Sequence, residues 1–153
     1  MGVEFDRILD GIEGPFEPID EWNVSPPAGT VSGGSGVAGY LMSHRVNDAF
    51  RVINRLNARN IDVFWSTDPV DGLEAGAFYV PAGRGVAGLV NELAGEFGVD
   101  FTGVASHPSS AMLRLRPPRI ALADEYGGSM ASGWLRWVLE QWEYTDFDVV
   151  YPP

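Results

Sequence analysis

Lysine and cysteine are absent from this chain, and His44 and His107 are its two histidines. Without lysine there is no P-loop phosphate grip, no Schiff base and no lysine general base. Without cysteine there is no thiol nucleophile and no disulfide, so cysteine usage carries no message about redox compartment. Positive charge is scarce as well: all 10 basic residues are arginine, against 21 Asp and Glu, for a net charge of −11. Nucleic-acid backbones and anionic membrane surfaces both call for clustered Lys and Arg, so neither is an expected partner. No apolar run reaches the roughly 18 residues of a membrane span. The start, Met1-Gly-Val-Glu-Phe-Asp6, lacks the basic-then-apolar pattern of a secretory leader.

What is present fits a globular chain. At 153 residues and 45% hydrophobic content, one domain or two very small ones is expected, with enough chain to bury a core. Residues 1–38 hold Pro15, Pro18, Pro26, Pro27 and the run Gly33-Gly-Ser-Gly36, with scattered acids from Glu4 to Glu21. They read as an irregular segment or two edge strands (Gly2–Leu9 and Trp22–Val24), anchored by Phe5, Ile8, Phe16 and Trp22. The acids read as a solvated face.

Residues 39–118 are more regular. Gly39–His44 predicts a strand, and Asn47 or Asp48 predicts the cap of a helix to about Arg59, with Phe50, Val52, Ile53 and Leu56 inward. Strands follow at Ile61–Ser66 and, after the turn at Asp68-Pro-Val-Asp-Gly72, at Ala77–Pro81. Val86–Phe97 predicts a helix with Leu89, Val90, Leu93 and Phe97 inward, and Phe101–Ala105 a fourth strand. This βαββαβ order predicts an α/β body, either a ferredoxin-like split βαβ or one mostly parallel sheet that also takes in the strand at Arg119. Residues 119–153 predict strand (Arg119–Asp124), glycine-rich turn, tryptophan-rich helix (Ser132–Glu143) and strand (Phe147–Tyr151). That is the opening βαβ unit of a flavodoxin-like sheet whose later units are not in this sequence.

Several patterns point to chemistry. Gly34-Ser-Gly-Val-Ala-Gly39 matches G-x-G-x-x-G but leads into a strand, which would leave a pyrophosphate without a helix N-terminus. Gly83-Arg-Gly-Val-Ala-Gly88 matches again and sits between a strand and a helix, so Gly83, Gly85 and Gly88 are candidates for binding a nucleotide or small anion. No acid ends the following strand to hold a ribose. Gly127-Gly-Ser-Met-Ala131 resembles a nucleophile elbow, giving a serine hydrolase reading with Ser129 as nucleophile, His44 or His107 as base and Asp124 as orienter. Ser129 or Ser132 also suits a helix N-cap. For metals, His44 and His107 have no H-x-x-E or H-E-x-x-H partner, and Asp68, Asp71 and Glu74 lack calcium-loop spacing. No metal or cofactor is expected in this chain, and His44 reads as a structural partner of Asn47 and Asp48.

Three stretches carry a family resemblance. They are Gly39-Tyr-Leu-Met-Ser-His-Arg-Val-Asn-Asp-Ala-Phe50 with Val52-Ile-Asn-Arg-Leu56, Gly76-Ala-Phe-Tyr-Val-Pro-Ala82, and the long segment Pro118 to Trp142 that includes Asp124-Glu-Tyr-Gly-Gly-Ser-Met-Ala131. With Met1–Ile19, they resemble the region downstream of the catalytic domain in bacterial zinc carboxypeptidase-like proteins of the carboxypeptidase-A type. In such proteins the last stretch opens a domain similar to class I glutamine amidotransferases, usually without the amidotransferase cysteine. The resemblance implies a parent protein, of a kind that can be exported, that removes C-terminal residues from peptides with a zinc-bound water. The zinc ligands, carboxylate-binding arginine and general-base glutamate have no matching positions here. The expected role is therefore a non-catalytic accessory domain.

One surface follows from the helix pattern. Trp134, Val138 and Trp142, widened by Leu135 and Leu139, form a stripe expected to face the sheet. Trp137 lies off its centre, near Met130. With a sheet that stops at Phe147–Tyr151, an apolar patch or open edge is expected at Trp137, Met130, Phe147 and Tyr151. Self-association or docking of missing parts of the parent would cover it, unless residues 1–38 fold back over it.

Overall fold

The computed structural model describes residues 25–144 and 146–151, together with residues 7, 9–11, 13–15, 17, 20 and 22. The protein is mixed α/β, with a six-stranded sheet, a separate two-stranded sheet and three helices.

The six-stranded sheet contains β1 (Val31–Ser32), β2 (Gly39–Met42), β3 (Phe64–Ser66), β4 (Phe78–Pro81), β5 (Phe101–Val104) and β6 (Met112–Arg114), in the order β1-β5-β2-β4-β3-β6. All its neighbours are antiparallel except β1 and β5. Helix α1 (Asp48–Ala58) links β2 to β3, and α2 (Val86–Phe97) links β4 to β5. The central order β5-β2-β4-β3 is that of the split βαβ sandwich. The mostly parallel alternative is not what forms. The strand at Ile120 stays out of this sheet, and the edges are filled by two short strands that local pattern did not reveal, β1 and β6.

Both helices lie on one face. In α1, Ala49, Val52, Ile53 and Leu56 are buried at i, i+3, i+4, i+7 spacing, and in α2 Val86, Leu89, Val90, Leu93, Ala94 and Phe97 are buried. They meet Tyr40, Met42, Phe78, Val80 and Phe101 from the sheet in one core. The intervening Leu41 and Tyr79 point the other way, into a smaller core with Val70 and Ala77. Coverage on both faces explains why β2 is buried at all four positions and shows no polar alternation. Each fully buried Val, Leu or Phe here contributes about 1.5–3 kcal/mol.

Gly2–Leu9 and Trp22–Val24, and the anchors Phe5, Ile8 and Phe16, fall mostly outside the described residues. Trp22 is described and is fully exposed, and the other described residues before Ser25 are exposed as well. Trp22 therefore anchors nothing. The chain is tied to the body from Gly29 onward: the Gly29 N–H donates to Ala94 O at 2.9 Å, and Asp100 accepts from both the N–H and hydroxyl of Thr30 at 2.7 Å.

The remaining elements form one βαβ unit. β7 (Ile120–Ala123) and β8 (Phe147–Val150) pair in parallel, and α3 (Met130–Gln141) connects them. Leu122 is buried and Ile120, Phe147 and Val149 are half-buried, while Ala121, Ala123, Asp148 and Val150 face outward. That alternation is the mark of a sheet covered on one face only. Among the described residues no further strand joins either edge.

Candidate docking site

The C-terminal unit carries eight of the fourteen exposed large hydrophobic residues of the described chain. Trp134 is 63% exposed, Trp137 52%, Leu135 48%, Val138 40% and Met130 82%. The two indoles pack edge to face, centroids 5.9 Å apart, and so hold each other on the outside of the helix. Tyr126 and Tyr151 stack at 5.1 Å nearby in the chain's fold of turn and strand end, both exposed.

This corrects the expected orientation of the stripe. Ser132 is buried and Leu139 half-buried, whereas Trp134 and Val138 are open to solvent. The spacing identified an apolar face correctly but not what lies beneath it. Two parallel strands are too narrow to cover a three-turn helix with so wide an apolar face. Trp142 has a different role again. It ends the helix and sets its ring 6.5 Å from Phe50 on α1.

The turn before α3 is built by hydrogen bonds. Asp124 accepts from the N–H groups of Glu125 (2.9 Å) and Ser129 (3.0 Å). These, together with the Ser132 hydroxyl, which acts most strongly, hold its carboxyl below the usual range. Ser129 is the N-cap: its Oγ accepts from the Ser132 N–H at 3.1 Å and lies 2.9 Å from Ser132 Oγ. Neither histidine is among its partners. His44 sits against Gly76, in a cleft of about 330 Å³ with Phe50, Trp65 and Phe78. His107 lies against the Tyr79 ring at 4.8 Å, with Nδ1 2.8 Å from Pro108 O. Ser129, His44 and Asp124 are thus not gathered into one site, although Ser129 and Asp124 touch. Ser129→Ala should cost about 1 kcal/mol of stability, read as a lower melting temperature with faster amide exchange confined to the first turn of α3.

Gly83 and Gly85 lie in the loop before α2 and Gly88 in its first turn. Gly85 is the N-cap residue with φ +80°, and neither Gly85 nor Gly88 has an atom within 4 Å of where a Cβ would stand. The glycines leave this helix start open, and Arg84 is the one charged side chain between them.

The start of α1 also differs from expectation. No side-chain hydrogen bond caps it; Asp48 instead bonds Arg51 one turn on, at 3.0 Å. An acid in the first turn favours the helix through its dipole, so Asp48 stabilises by charge rather than as a cap. His44 lines the cleft described above. Among the described residues, no group of three His, Asp or Glu stands together in a way that could hold a metal ion.

One cluster escaped the sequence reading. Glu143, just past α3, binds Arg55 at 2.8 Å and Arg51 at 3.4 Å, and Asn54 donates to Trp142 O at 2.6 Å. The available signal was Arg51 and Arg55 at i, i+4 on one face of α1, which local pattern could not connect to a residue almost ninety positions later. No family model matches this sequence, and no curated protein and no solved structure matches it.

Proposed function

We propose that the chain is a non-catalytic accessory domain, of the kind found downstream of the catalytic domain in bacterial zinc carboxypeptidase-like proteins, and that it acts by docking. The docking surface is the outer face of α3, with Trp137, Trp134 and Met130, continued by the free edge of β8 from Phe147 toward Tyr151. The zinc and the hydrolysis of C-terminal peptide bonds would belong to the parent's catalytic domain, where the resemblance places the zinc ligands.

The observation that carries the reading is the uncovered α3 on a sheet of two parallel strands. Parallel sheets are ordinarily covered on both faces, and stable small sheets have three or more strands. Clustered tryptophans on such an unfinished layer are the composition of interface centres. Either further elements of the parent or a second copy of the chain would complete the layer.

The test is concentration-dependent light scattering of the chain alone, beside the double variant Trp134→Ser/Trp137→Ser. The mass of the unmodified chain should rise with concentration. The double variant should need at least about 30-fold higher concentration, the equivalent of one interfacial hot spot. A monomer throughout the range, with hydrophobic-dye binding equal to that of the double variant, would overturn the proposal.

A further inference from the structure

We propose that Glu143 is an electrostatic latch that holds the C-terminal βαβ unit against the six-stranded body and releases it when its charge is screened or removed. The geometry is specific. Glu143 stands where α3 ends and places both carboxylate oxygens among the guanidinium groups of α1, at 2.8 Å and 3.0 Å from Arg55 Nε and Nη2 and 3.4 Å from Arg51 Nη2. Both guanidinium groups lie over the ring of Phe97 on α2, at 5.3 Å and 4.5 Å from its centroid. One carboxylate therefore joins both helices of the body to the unit.

Among the described residues, little else holds the two parts together. Neither β7, α3 nor β8 packs broadly on an element of the body. The connection is made at residues 142–144, by the Trp142 ring on Phe50, the Asn54 bond to Trp142 O, and Tyr144, whose hydroxyl bonds Pro118 O in the connecting segment. The chain between β6 and β7 includes Pro117 and Pro118 and has no regular structure.

The latch is less exposed than the body's surface ion pairs. Side chains of Arg51, Arg55 and Glu143 are 34%, 28% and 26% exposed, whereas Arg45–Glu74 is 69% and 62% and Arg114–Asp62 57% and 47%. Exposed pairs are worth little; partly buried ones with several hydrogen bonds are worth more. Glu143 also has φ +62°, a left-handed backbone for which glycine or asparagine is the usual choice. A glutamate at that place is explained by its side chain and not by its backbone.

The direction of the pH effect follows from the surroundings. Hydrogen bonding from Arg55, reinforced by the charges of Arg55 and Arg51, holds the Glu143 carboxyl below its ordinary range against the opposing effect of burial. Other charges around it are Glu96, on Arg55; Asp48, on Arg51; Glu140, bonded to Arg136; and Asp146 beyond Tyr144. A depressed carboxyl stabilises docking fully above its free value, near 4.3, and loses that contribution as pH falls through the lower value.

The absence of cysteine makes the test direct. Spin labels on Ala87→Cys of α2 and Ala131→Cys of α3, both exposed, report the distance between body and unit. At pH 7 and low salt one narrow distance should be found. Glu143→Gln should broaden it, 1 M NaCl should broaden it in the unmodified background, and Glu140→Gln should leave it narrow. Glu143→Gly should broaden it too, although it eases the backbone. The proposal is overturned if Glu143→Gln or Glu143→Gly keeps the narrow distance, or if Glu140→Gln broadens it equally. Should Glu143→Gln unfold the body, by circular dichroism, the salt titration decides alone: an unchanged distance at 1 M NaCl refutes the latch.

Discussion

Phe101→Ala should unfold a large share of the protein at 37 °C. Phe101 is 1% exposed at the start of β5, with β1 on one side and β2 on the other, and it belongs to the core beneath both helices. Removing a buried phenylalanine costs about 3–5 kcal/mol, through lost burial and the cavity left behind. Against a typical total of about 5–15 kcal/mol, that is a large fraction. The expected result is a lower urea midpoint by circular dichroism with an unchanged slope. A loss below about 1 kcal/mol would show that the two helices and sheet do not share the core described here.

Gly98→Ala should produce the second largest effect, and a local one. Gly98 closes α2 with φ +65°, its N–H donating to Ala94 O at 3.0 Å. A Cβ there would stand 2.7 Å from Pro27 O and 2.9 Å from Pro26 Cβ. The left-handed backbone alone costs an L-residue about 1–2 kcal/mol. The clash adds to this, because backbone must move, and the segment that moves leads directly into β1. Exchange of the Phe101 amide, which donates to Thr30 O at 2.8 Å, should therefore accelerate more than global unfolding explains. Gly85→Ala is the control. It has a similar φ, +80°, but open space around its Cβ, and should show the backbone cost without the loss at β1. Equal effects of the two substitutions would remove the steric part of the argument.

Much of the body was legible in the chain. The expected bounds of α2, Val86–Phe97, match those observed, because its apolar spacing is regular and Gly85 and Gly98 punctuate both ends. The strands at Gly39, Ala77 and Phe101 were each found within two residues, since short apolar runs between turns read as buried strands. Phe50 shows the limit of periodicity. It lies on the apolar arc of α1, yet is 45% exposed, since it stands at the margin of the body against Phe78 and Trp142. The strands β1 and β6 were not legible, because two or three residues are too few for any period and their pairing partners lie about 70 and 46 positions away in the chain, as Val31 with Phe101 and Met112 with Ser66 illustrate.

The candidate site divides in the same way. Sequence by itself determined that tryptophans recur on one helix, that a βαβ unit ends the described chain, that Ser129 suits a cap, and that lysine and thiol chemistry are excluded. These are properties of composition and of neighbours within a turn or two. Only the tertiary structure decided that Trp134 and Trp137 face solvent, that the unit stays apart from the six-stranded sheet, and that Glu143 meets Arg51 and Arg55. The reason is physical: burial and ion pairing depend on which surfaces meet across long stretches of chain, and local spacing constrains a face without naming what covers it.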